Sequence, residues 1–135
     1  MIISRVAVVG KAGDPKYVQQ VTCGSHQLLA DEPTDREGGD AGPAPFDYLL
    51  AALGTCTSIT LRMYADRKGW DLGNVTVTLD YQRAKDTAPS IRRDVSVSAP
   101  ISEEQRARLA DIIERTPVTL AIMQGVEVAS SVVVL

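Results

Sequence analysis

Cysteine is the residue type in this chain best suited to covalent chemistry, and Cys56 stands inside the run LLAALGTCTSITLRMYADRKGW, Leu49 to Trp70. A thiol there either packs as a small apolar group or reacts as a thiolate, which needs a nearby cation, a hydrogen-bond donor or a helix N-terminus. Cys56 lies too deep in the run to use the N-terminus of its own helix, and no residue within one helical turn of it is charged. Any cation must therefore come from elsewhere in the chain. His26 is the only histidine. No spacing links it to Cys56 and an Asn or Asp as a catalytic triad, so it reads as a polar turn residue. One histidine and two scattered cysteines lack the spacing of zinc ligands, and neither a metal nor an organic cofactor is expected. The acidic residues Asp31, Glu32, Asp35, Glu37 and Asp40 do not follow the order of a calcium-binding loop and read as a solvated segment. Gly38-Gly39 is too isolated to indicate phosphate binding.

Bulk composition narrows the function classes. The 135 residues carry 14 basic and 17 acidic side chains, a net charge of −3. No basic excess exists to displace the counterions of a nucleic acid, so nucleic acid is not an expected partner. No stretch is long and apolar enough to span a bilayer. The opening MIISRVAVVGK lacks the basic flank and small-residue cleavage site of a signal peptide and reads as a strand. Two cysteines without an export signal suggest a reducing, cytoplasmic setting in which a structural disulfide is not the default.

The elements that must position Cys56 follow from periodicity. Ile2 to Val9 and Tyr17 to Ala30 are rich in β-forming residues, with a tight turn at Cys23-Gly24-Ser25-His26, which predicts a small antiparallel meander. Asp31 to Pro45 is a Gly-, Pro- and Asp-rich loop. From Phe46 the spacing becomes helical: Leu49, Leu53, Cys56, Ile59 and Met63 are expected to share one face. Tyr48 to Leu53 is apolar all round, which calls for cover on several sides and implies a second copy of the chain. Gly69 should stop this helix. Val75 to Gln82 alternates as a half-buried strand, and Arg93, Val95, Val97 and Ala99 set the phase of a returning one. Ser102 with Gln105 is a capping-box signature for a helix running to about Arg115. Thr116-Pro117 starts a short helix that Gly125 ends, and Val126 to Leu135 is expected to be a final strand. The order predicts one α+β domain over residues 1–135, with helices packed on antiparallel sheet.

The segment from Gly42 to Tyr81, with its Pro45-Phe46-Asp47-Tyr48-Leu49 run followed by Gly54-Thr55-Cys56-Thr57, resembles the signature of the OsmC/Ohr family, the osmotically induced and organic-hydroperoxide-resistance proteins. Asp31-Glu32-Pro33 and Gly125-Val126-Glu127-Val128 resemble one branch of it. The resemblance implies an intertwined homodimer of α+β subunits, each with a central cysteine-bearing helix and an active site at the subunit interface. It implies that Cys56 is a peroxidatic thiol that becomes a sulfenic acid.

The chain departs from the family pattern in three places. The second cysteine falls where Thr116 stands. The glutamate after the helix-opening proline falls at Phe46, with Asp47 one residue later. The arginine over the thiolate points by chain order to the region of Lys11, with Arg36 as a second candidate. The catalytic set implied is Cys56, Asp47, Arg36 and Lys11. Three readings follow: a one-cysteine hydroperoxide reductase in oxidative-stress defence that uses an external thiol; a dimer that binds a small apolar ligand without turnover; and a chain in which Cys56 is core.

Overall fold

The computed structural model describes residues 4–11 and 17–135. The chain divides into two compact units, residues 1–49 and 50–135. The helix that carries Cys56, α1 (Pro45–Lys68), begins in the first and continues through the second.

In the first unit, β1 (Ala7–Lys11), β2 (Gln19–Cys23) and β3 (His26–Ala30) form an antiparallel sheet in that order. Cys23 pairs with His26 across the two-residue turn at Gly24-Ser25, where Gly24 takes a positive φ of 60°. Glycine adopts that conformation without steric cost. The meander read from composition is therefore present. Its first strand runs two residues past Val9, because Gly10 and Lys11 pair with Gln20 and Gln19. Ile2 and Ile3 lie outside the described residues. A single 3₁₀ turn, Thr34–Arg36, interrupts the loop that leads to α1.

In the second unit, β4 (Val75–Gln82) and β5 (Ser90–Val97) form an antiparallel hairpin in which Val75 faces Val97 and Leu79 faces Arg93. Both strands alternate half-buried and exposed residues, as period-2 patterning requires. Two helices follow, α2 (Glu103–Ile113) and α3 (Pro117–Gln124). The core gathers Leu61, Ala65 and Leu72 with Leu109 and Ile112 of α2, and Trp70, Val95 and Val97 pack around them.

Helix ends follow local chemistry. Gly69 has φ 68°; its N–H donates to the Asp66 carbonyl and that of Trp70 to the Ala65 carbonyl, the paired bonds of a Schellman stop. Ser102 and Gln105 exchange the two bonds of a capping box. Thr116 caps α3 ahead of Pro117, and Gly125 ends it.

Within the single chain the buried residues of α1 are Leu53, Gly54, Thr57, Leu61 and Ala65; on the stripe through Cys56, Ile59 and Met63 are 55% and 56% exposed. From Tyr48 to Leu61 every position of α1 is small or apolar, so periodicity alone does not choose a face. On the buried face a Cβ on Gly54 would come within 2.8 Å of the Leu79 side chain, so the glycine lets the helix lie close on β4. One expectation is corrected: Val126 to Leu135 forms no strand. It pairs with no described strand of the chain and leaves Val126, Val128 and Val132 to Leu135 exposed.

Candidate functional site

Cys56 is a half-buried free thiol between two threonines that turn their hydroxyls onto the helix backbone. Thr55 Oγ1 donates to the Ala51 carbonyl at 2.8 Å, and Thr57 Oγ1 to the Leu53 carbonyl at 2.7 Å. Consecutive helical side chains diverge by about 100°, so Thr57 enters the core while Cys56 stays at its margin. Ala52, Ile59 and Met63 continue the Cys56 stripe at three- and four-residue spacing, and all three are exposed.

A buried polar cluster meets α1 at Thr57. Arg93 Nη1 of β5 donates to Thr57 Oγ1 at 3.0 Å and to Thr119 Oγ1 at 2.8 Å, and Nη2 donates to the Ile113 carbonyl at 2.8 Å. Thr119 Oγ1 in turn donates to the Ile113 carbonyl at 3.1 Å. Its single proton is then used, so Thr116 is the donor in the 2.6 Å contact between the two hydroxyls. Thr116 Oγ1 also accepts the Thr119 N–H as the cap of α3. Thr116, which stands where the resemblance puts a second thiol, is 1% exposed and held on both sides. The sequence reading gave Arg93 the inward phase of its strand but no role. An arginine in register with Val95 and Val97 was the available signal, since a guanidinium placed inward needs buried acceptors.

Lys11, Arg36 and Asp47 lie in the first unit. Asp47 Oδ2 accepts the Ala44 N–H at 2.9 Å, the returning arm of a capping box. The carboxylate at the third helical position thus caps α1, a duty the sequence reading did not assign. Lys11 ends β1 opposite Gln19, and its side chain is exposed. Arg36 lines a cleft of about 450 Å³ with Tyr17, Gln19, Asp31, Glu32 and Pro45.

Asp31 is buried. Its carboxylate accepts the N–H groups of Glu32 at 2.7 Å and of Gly39 and Ala41 at 3.1 Å each. These bonds, that from Ala41 foremost, hold its pKa below the usual carboxylate value despite the opposing effect of desolvation. Asp31 therefore organises its loop. His26 is exposed at the start of β3.

The two units thus combine a meander, a long cysteine-bearing helix and a hairpin covered by short helices, a mixed α+β class with antiparallel sheets. The family described as OsmC-like protein matches residues 38–131, and the chain belongs to that family. Solved structures with the same fold include an OsmC-like protein from Mycoplasma pneumoniae, 19% identical with a TM-score of 0.77, covering 93% of this chain and 91% of that one. An organic hydroperoxide resistance protein OsmC from Legionella pneumophila is 17% identical with a TM-score of 0.67, covering 90% of both chains. The organic hydroperoxide resistance protein OhrB of Bacillus subtilis is 14% identical with a TM-score of 0.60, covering 88% of this chain and 90% of that one. No curated protein matches the sequence significantly. Among the described residues, no helix is long and apolar enough to cross a membrane.

Proposed function

We propose that the chain is a thiol-dependent reductase of organic hydroperoxides, of the one-cysteine type, working as a homodimer in a reducing, cytoplasmic compartment. The observation that carries this reading is the contrast between two positions. The Cys56 thiol is half-buried on an apolar stripe, whereas Thr116 is sealed in a hydrogen-bonded cluster. The first can meet an organic peroxide; the second offers no thiol to resolve the product. Membership of a family with relatives named for organic hydroperoxide resistance supports the substrate class.

In the proposed reaction the Cys56 thiolate attacks one oxygen of the hydroperoxide. An S–O bond forms and the O–O bond breaks. The alkoxide leaving group takes a proton and departs as the alcohol, and Cys56 becomes a sulfenic acid. An external thiol then displaces the hydroxyl as water and leaves a mixed disulfide. A second thiol releases the reduced Cys56 and an external disulfide. One peroxide is reduced and two thiols are oxidised per cycle. Lys11 or Arg36 supplies a cation to the thiolate from the N-terminal segment of either subunit, and Asp47 holds the start of the helix.

A second reading, a dimer that binds a small apolar ligand without turnover, is favoured by Thr116 alone. Treatment with cumene hydroperoxide followed by a sulfenic-acid probe separates them. Labelling at Cys56 that is lost in Cys56→Ser is expected; an unlabelled Cys56 supports the binding protein.

A further inference from the structure

The geometry points to Arg93 as a positioning residue for Cys56: its buried guanidinium, bonded to Thr57, fixes the turn of α1 that carries the thiol. This inference rests on the proposed reactivity of Cys56 and adds a residue outside the set that the sequence pattern implies.

The guanidinium has little counter-charge. The Arg93 side chain is 10% exposed, and all three hydrogen bonds to its Nη atoms go to neutral oxygens, those of Thr57, Thr119 and Ile113. Its carboxylate partner among the described residues is Glu114, 3.9 Å away and 63% exposed, a weak counter-ion across solvent. Several charged groups on the neighbouring elements have partners of their own. Arg62 of α1 donates to the Gly73 carbonyl, Arg92 and Asp94 pair on the exposed face of β5, and Arg115 pairs with Asp111. A guanidinium so poorly compensated by charge depends on its hydrogen bonds, so its place and that of the Thr57 hydroxyl are set together.

The second link is mechanical. Nη1 spans Thr57 on α1 and Thr119 on α3, and each hydroxyl passes its own proton to a main-chain carbonyl. The Thr57 hydroxyl is thus held on both sides, by the fork and by the Leu53 carbonyl, and Cys56 is the adjacent residue. Lysine in place of Arg93 keeps the charge but cannot reproduce the fork.

The test is the rate at which Cys56 reduces cumene hydroperoxide in the full-length protein, with Cys23→Ser so that one thiol is counted, read beside its alkylation by iodoacetamide, a small probe that needs no aligned approach. Arg93→Gln is expected to slow the peroxide reaction about tenfold and alkylation much less. Arg93→Lys should not recover the peroxide rate, since the fork is missing. Thr57→Val, close in volume, removes the hydroxyl that ties Arg93 to α1 and should slow the peroxide reaction severalfold; it decides the matter if Arg93→Gln does not fold. A parent protein that reacts with peroxide while the folded variants match its rates overturns the role of Arg93 alone. A parent whose Cys56 forms no sulfenic acid overturns the reading on which it rests.

Discussion

Asp31 ties one side chain to the acid stability of the chain. Because hydrogen bonds hold its carboxyl below the usual range in the folded protein, the unfolded state binds the proton more readily. Its contribution is complete above the unfolded value of about 3.9 and is lost as pH falls through the folded value. Urea midpoints measured between about pH 5 and pH 2 should therefore fall more steeply in the parent than in Asp31→Asn; parallel curves would mean that the three N–H bonds do not persist in solution. Cys23 makes a different case. It ends β2 beside the hairpin turn, opposite exposed His26, and has no assigned part in the thiol cycle. Cys23→Ser should leave the rate of peroxide consumption unchanged, and a loss of turnover in that variant would bring Cys23 into the reaction. Among the candidate residues, sequence reading singled out Cys56 on residue type and setting. It could not see the capping role of Asp47, which depends on where the helix begins, or the cluster around Arg93, which joins residues more than twenty positions apart in the chain.

At the scale of elements, what was legible is what is local. The stops at Gly69 and Gly125, the Ser102–Gln105 box and the Thr116-Pro117 start each depend on a few consecutive residues, and all formed as expected. The buried stripe of α1 was not legible, because from Tyr48 to Leu61 the helix is small or apolar all round and offers several faces; Gly54, lying over the Leu79 side chain, belongs to the one that is buried. The last ten residues, β-forming by composition, make no strand because a strand needs a partner to satisfy its backbone. Two glycines translate this into measurement. A Cβ on Gly38 would collide with the Glu32 main chain, whereas one on Gly54 meets only the end of the Leu79 side chain. Gly38→Ala should cost more than about 2 kcal/mol. In Gly54→Ala the crowding and the gain in helix propensity, each about 1 kcal/mol, should nearly cancel. Thermal unfolding of the two variants side by side checks the contrast; similar losses in both would mean that the Leu79 side chain cannot give way.

The whole molecule leaves much apolar surface open in a single chain: Ile59 and Met63 along the Cys56 stripe, and Val126, Val128 and Val132 to Leu135 at the C-terminal end. Patches of this kind mark association sites, and the proposed homodimer would cover them with a large, apolar, obligate interface. Sedimentation at low micromolar concentration should find a dimer without free monomer; a folded, stable monomer would remove the basis for a shared site. The central claim is that Cys56 reduces peroxide and that its partner thiol comes from outside the chain. Its most direct test is consumption of cumene hydroperoxide by the intact protein. Without added thiol, one equivalent per subunit should be consumed and the reaction should stop. With excess dithiol it should continue, one disulfide formed for each peroxide reduced, and Cys56→Ser should do neither. An intact protein that consumes no peroxide under either condition, or that turns over unchanged in Cys56→Ser, would contradict the account.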